Sequence, residues 1–276
     1  MDIKIKKKLN KSEYRNALAL YNNSAAQEDI FISPPSADAP ADMYILAYVG
    51  ETLAGYFLVD LFEPYAEVRA MVDPAFRGQG IFYAMKSVLE SELDDEYELL
   101  FITDNKSAAA LHMIKKYHLR EQQAQIGMER ELARQFSTDV TAIPATDREE
   151  FLKYCTDGFS AELSIEEIEE NTDFPASSPA RFLLFKKGDE IVGSCILSVK
   201  ERNALLSFFS ITKNCRGLGY GHGAVRAVFN YALENGCRHI ALNVSSDNKP
   251  ALKTYKKAGF KETLRISLYY GPIQAA

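Results

Sequence analysis

At 276 residues the chain has room for two domains of about 150 residues, each long enough to bury its own core. Apolar residues make up 47% and charged residues 25%, which excludes a disordered chain, a collagen-like fibre and a disulfide-stapled miniprotein. Lys and Arg number 32 against 38 Asp and Glu, a net charge of −6, so the broad positive field that binds nucleic acid is missing.

The start, MDIKIKKKLN, carries charge with no apolar run behind it, and no stretch approaches about 18 uninterrupted apolar residues. Neither a signal peptide nor a membrane contact is expected. Cys155, Cys195, Cys215 and Cys237 lack metal-site spacing, and there are only four His, so no metal is expected. The cysteines read as reduced thiols of a cytoplasmic protein, with disulfides as the alternative.

The chain repeats itself. Ile45–Val59 superposes on Leu183–Leu197 without a gap, placing Gly50 on Gly188 and Gly55 on Gly193 at an offset of 138. Arg77-Gly78-Gln79-Gly80 falls on Arg216-Gly217-Leu218-Gly219 at 139, Leu119 on Phe260 at 141, and Asn105-Lys106 on Asn248-Lys249 at 143. A period this long means two whole domains. The boundary is expected near Arg134–Asp139, giving domains 1–135 and 136–276.

In chain order, each copy opens on a strand (Ile3–Ile5; Val140–Ile143). A helix follows (Ser12–Tyr21; Asp147–Cys155), with Ser12 and Asp147 as N-caps. A Pro/Ser-rich loop comes next (Ser33–Ser36; Pro175–Pro179). Two strands joined by a tight Gly turn lead to another strand, Glu67–Val72 or Leu205–Ile211. A glycine-rich turn then opens a helix. Val225, Val228, Phe229, Ala232 and Leu233 form its apolar stripe in copy two, as Ile81, Met85, Val88, Leu89 and Leu93 do in copy one. Asn235-Gly236 ends the copy-two helix. A buried strand (Leu99–Ile102; Ile240–Val244), a helix and a last strand (Gln125–Met128; Leu264–Tyr269) complete each copy.

Arg216-Gly217-Leu218-Gly219-Tyr220-Gly221 sits between a strand and a helix. Glycines there let backbone approach a ligand, and the free N–H groups and dipole of the helix favour an anion such as pyrophosphate. The order differs from a dinucleotide fingerprint, and the GxxxxGK[ST] of a triphosphate loop is absent.

Val72–Ile81 and Ile211–Gly221 resemble motif A of the GNAT N-acetyltransferases. Asn248-Lys-Pro-Ala251-x-x-x-Tyr255-x-x-x-Gly259-Phe260 is similar to motif B of that family. The resemblance spans nearly the whole chain, once per half. It implies an α/β (α+β) fold of two tandem GNAT-like domains. Each would be a mixed, mostly antiparallel sheet flanked by helices, with splayed fourth and fifth strands holding acetyl-CoA. It places Ile211, Thr212, Arg216, Gly217, Leu218, Gly219, Tyr220, Gly221 and His222 at the acetyl-CoA site, with Asn248 nearby. It places a second site at Val72, Arg77, Gly78, Gln79, Gly80 and Ile81. Tyr255 falls where the family keeps a tyrosine that protonates the departing CoA thiolate.

In copy one, counting back from Leu119 puts Ile114 at that position, and counting forward from Asn105 puts His112 there. Phe82 replaces the last small residue of motif A, and His118-Leu119 replaces Gly259-Phe260. Copy one therefore reads as degenerate and copy two as catalytic. No general base stands out. Ser207 and Ser210 are not carboxylates, Glu67 reads as an exposed structural carboxylate, and His222 belongs with the phosphates. The acidic run Glu166-Glu167-Ile168-Glu169-Glu170 reads as a solvated helix face that could also attract a cationic amine. The expected activity is transfer of acetyl from acetyl-CoA to a primary amine of a small molecule or peptide. The alternative is a non-enzymatic acyl-CoA sensor.

Overall fold

The structure, a computed structural model, describes residues 1–28, 30, 32–37, 40–94, 97–159, 168 and 180–270. The loop Pro175–Pro179 and all of the acidic run except Ile168 lie outside these residues.

Packing divides the chain into two compact units. The first comprises Met1–Ala124 together with the chain from Leu264 onward, and the second is Gln125–Thr263. The first holds β1 (Asp2–Lys6), α1 (Lys11–Glu28), β2 (Met43–Val49), β3 (Thr52–Phe62), β4 (Tyr65–Val72), α2 (Ile81–Glu92), β5 (Glu98–Asp104) and α3 (Ala108–Lys116). Strand β6 (Arg120–Glu131) leads into the second unit, which adds β7 (Thr141–Pro144), α4 (Arg148–Phe159), β8 (Ala180–Lys187), β9 (Glu190–Lys200), β10 (Asn203–Ile211), α5 (Tyr220–Glu234), β11 (His239–Ser245) and α6 (Lys249–Lys257). Strand β12 (Lys261–Tyr270) returns to the first unit.

The strand order in the first unit is β1-β2-β3-β4-β5-β12. In the second it is β7-β8-β9-β10-β11-β6. Pairing is antiparallel throughout each unit except β4–β5 and β10–β11, which are parallel. The last strand of each repeat therefore serves the other unit. Met128 pairs with Leu242, and Leu268 with Ile102. The packed units differ in this respect from a division at residue 135. Alternating Ala124, Ile126 and Met128 mark a half-buried strand, but that pattern does not say which sheet edge it completes.

Each parallel pair is short. Strands β4 and β5 are paired from Tyr65↔Glu98 to Val68↔Phe101, and β10 and β11 from Asn203↔His239 to Leu206↔Leu242. Beyond those points they part, which is the expected splay. Register also explains the drift of the repeat. Strand β10 carries a bulge between Ser207 and Ser210, with Phe208 at φ 48°, whereas β4 pairs with β3 without interruption. That one added residue moves the offset from 138 to 139.

The local signals mostly hold. Asp147 caps α4 by accepting the Glu150 N–H at 2.8 Å. Helix α1 starts earlier than expected: Asn10, not Ser12, is the cap, accepting from Ser12 and Glu13 while Glu13 accepts from the Asn10 N–H. The α5 stripe buries Val225, Val228, Phe229 and Ala232 in the second core, and Gly236 at φ 84° follows the helix. All four cysteines are buried free thiols. No helix among the described residues is long and apolar enough to cross a membrane.

Candidate functional site

Both glycine loops take the same path. In the second unit β10 ends in a short 3₁₀ turn, Lys213–Cys215, and Gly217 and Gly219 follow at φ 76° and 86°. In the first, Pro74–Phe76 is the 3₁₀ turn, and Gly78 and Gly80 are both at φ 78°. Only glycine enters this region without strain. A Cβ on any of the four would meet nothing within 4 Å, so the space before each loop is open. Gly219 and Gly80 cap α5 and α2 without a side-chain hydrogen bond, leaving the first N–H groups of each helix facing that space.

The motif arginines are used inside the protein. Arg216 Nε donates to the Ile211 carbonyl at 3.2 Å, and its Nη2 to the Gly158 carbonyl. Arg77 Nε donates to the Val72 carbonyl at 3.2 Å, and its Nη1 pairs with Glu28. Each guanidinium thus ties its loop to the strand end and to the preceding long helix. Close packing fixes the strand ends further. Gly193 on β9 lies so near β10 that a Cβ would strike the Ser210 carbonyl, and a Cβ on Gly55 would meet Met85 Cε at 2.9 Å.

The remaining second-unit residues follow the loop into the helix, apart from Thr212 just ahead of the loop and Asn248 at the start of α6. Thr212 is buried and donates to the Val192 carbonyl. Leu218 is exposed, Tyr220 lies under the Lys187 ammonium, and a Cβ on Gly221 would sit just under 4 Å from Ile211 and Thr254. His222 Nδ1 is buried with no hydrogen-bond partner among the described residues. Burial, with Arg226 and Lys257 nearby, holds the imidazole below its ordinary pKa. Asn248 caps α6, its side-chain oxygen accepting from Ala251 at 3.1 Å.

Tyr255 projects from α6 into the core. Its ring meets Phe209 of splayed β10 at 5.9 Å and Phe260 at 5.7 Å, and its hydroxyl has no partner among the described residues. Burial pushes the phenol above its ordinary pKa. In the first unit the capping geometry settles the counterpart. Ser107 caps α3 by accepting from Ala110, as Asn248 caps α6, and His118 at φ 52° matches Gly259 at 85°. The offset is 141, so Ile114 stands opposite Tyr255. Asn105 is not the counterpart of Asn248; it hydrogen-bonds with the Arg265 backbone.

Phe82 stands where Gly221 stands in the second unit, stacked among Phe57, Phe101 and Tyr117. Beside it lies a cavity of about 420 Å³ between the splayed ends of β4 and β5. Gly78, Gly80, Ile81 and Val72 line it. Gln79 instead turns back to the Ala75 carbonyl at 3.4 Å. Glu67 is half-buried rather than exposed, and burial and Asp60 raise its pKa while Arg69 opposes them; it does not line the cavity.

Sequence reasoning missed the bulge and the cavity; Ser207, set aside as a base, has a buried hydroxyl with no hydrogen-bond partner among the described residues. The step in the repeat offset was the one signal of the bulge.

Residues 148–260 match the family model described as acetyltransferase (GNAT) family. The chain is 35% identical over 71 residues to a mycothiol acetyltransferase of Corynebacterium jeikeium, covering 26% of this chain but only 21% of that protein. Among solved structures, a GCN5-related N-acetyltransferase from Sphaerobacter thermophilus matches with a TM-score of 0.68 at 17% identity, over 99% of this chain and 96% of the other. A tandem GNAT protein from the clavulanic acid biosynthesis pathway matches over the full length of both chains, with a TM-score of 0.63 at 14% identity. Residues 148–260, in the second unit, thus match the GNAT acetyltransferase family model, and the chain as a whole shares the fold of a tandem GNAT protein.

Proposed function

We propose that this protein moves the acetyl group of acetyl-CoA to a primary amine of a small molecule or peptide, and that its second unit is the catalytic one. The observation that carries the reading is a combination found, among the described residues, only there: an open glycine loop, a bulged fourth strand and a phenol on α6 beside that strand. The helix start at Gly219 to His222 would take the CoA pyrophosphate through backbone N–H groups.

The amine nitrogen attacks the thioester carbonyl carbon within a ternary complex. The C–N bond forms, the C–S bond breaks, and CoA leaves as a thiolate. Holding both reactants together supplies much of the rate. Backbone at the bulge, outside the β9 ladder, polarises the carbonyl. A free thiol has a pKa near 8.5, while burial keeps Tyr255 above its ordinary value. Full transfer of the phenolic proton is therefore uphill. Tyr255 stabilises the leaving sulfur as a hydrogen-bond donor, and solvent supplies the proton. The proton of the attacking amine leaves to water.

The test is thiol release from acetyl-CoA by the full chain over a panel of primary amines. Amine-dependent release is expected. CoA binding without release for any amine would overturn the enzyme in favour of an acyl-CoA-binding protein.

A further inference from the structure

We infer that the cavity of the first unit takes the acyl end of an acyl-CoA whose chain is apolar and longer than acetyl. The inference rests on reading the Gly78–Gly80 loop as a pyrophosphate site. From that loop the cavity runs along Ala70 and Val72 of β4 and Phe101 of β5, where the two strands part. It then crosses from the core beneath α2 to the core beneath α1, reaching Ile30, Ile32, Met71 and Ile102. A pantetheine arm entering from the loop would deliver its acyl group to that aliphatic end.

Several polar groups of the lining are held by other partners. Arg77 is engaged by Glu28, Ser107 donates to Glu28 at 2.9 Å, and Lys116 lies over the Tyr117 ring. Among the described residues no carboxylate lines the cavity, and Ile114 stands where the second unit has Tyr255. His112, Tyr83 and Tyr117 also line it, and the aliphatic residues Ile30, Ile32, Met71 and Ile102 form its far end. An apolar chain gains affinity from burial, roughly fourfold for each methylene that enters.

The experiment is calorimetric titration of the full-length Gly219→Asp variant, which leaves only the first loop intact, with acetyl-CoA and octanoyl-CoA. Octanoyl-CoA is expected to bind at least tenfold tighter. Ile114→Trp in the same background should abolish that preference and leave acetyl-CoA affinity within about threefold. Ala110→Trp, also on the lining, reads the same effect if Ile114→Trp does not fold. Equal affinities for the two ligands, both lost on adding Gly80→Asp, would overturn the chain-length inference and leave the loop reading standing. Binding that survives Gly80→Asp would overturn both.

Discussion

The loops at Gly78–Gly80 and Gly217–Gly219 share a backbone and differ in what stands behind them. Behind the first are an unbroken β4, an open aliphatic cavity, Phe82 and Ile114. Behind the second are a bulged β10, Gly221, and Tyr255 packed on Phe209. Phosphate capture by backbone tolerates changes of side chain, so a duplicated loop can persist in both halves. On the proposed reading, chemistry would depend on one phenol and one added strand residue, and among the described residues these occur together in one half.

The largest effect is expected where the two sheets differ most. Gly193→Ala drives a methyl group into the Ser210 carbonyl at the bulge, against rigid backbone. It should cost about 3 kcal/mol of stability, against about 1 kcal/mol for Gly55→Ala, whose Cβ would meet the flexible end of Met85 at 2.9 Å and the Met71 carbonyl at 3.0 Å, a much milder overlap. Thermal unfolding of the two variants measures the difference. Equal losses would mean that the bulge is not a tightly packed feature.

Next is the phenol. Tyr255→Phe keeps the contacts with Phe209 and Phe260 and removes a hydroxyl that has no partner among the described residues. We expect kcat to fall about tenfold to a hundredfold, the loss of one hydrogen bond to the charged leaving sulfur, with KM for acetyl-CoA nearly unchanged. Steady-state kinetics with an accepted amine decides it, and an unchanged kcat would remove Tyr255 from the mechanism.

The smallest effect is one of pH. His222 is held below its ordinary pKa in the free protein, so it is neutral at pH 7. A bound pyrophosphate would favour the imidazolium and raise that pKa, so binding takes up a proton and CoA affinity should rise as pH falls from 7 toward 6. Titration calorimetry in buffers of different ionisation enthalpy should show this uptake, and His222→Gln should abolish it. Proton uptake unchanged in His222→Gln would place the linkage on another group.

Much of this was legible in the sequence. Paired glycines at matching offsets located both loops, and the 3.6-residue stripe of Val225, Val228, Phe229 and Ala232 located the helix behind the second. The exchange of β6 and β12 was not legible, since alternating Ile126 and Met128 suit either sheet edge equally. Identity misled at Asn105, because helix capping needs a short polar side chain rather than asparagine, and Ser107 supplies it in the first unit. The cavity could not be foreseen either. It depends on whether Phe209 and Tyr255, or Ile114 and Phe82, occupy the space near the splay, and one-dimensional spacing does not carry that information.

The division of labour between the two loops is tested most directly by thiol release from acetyl-CoA in the full-length Gly219→Asp and Gly80→Asp variants, with folding checked by circular dichroism. An aspartate at either position puts negative charge where a pyrophosphate would lie. Gly219→Asp should abolish amine-dependent release while Gly80→Asp keeps most of it. Release lost in Gly80→Asp and kept in Gly219→Asp would contradict the account and make the first unit the catalytic one.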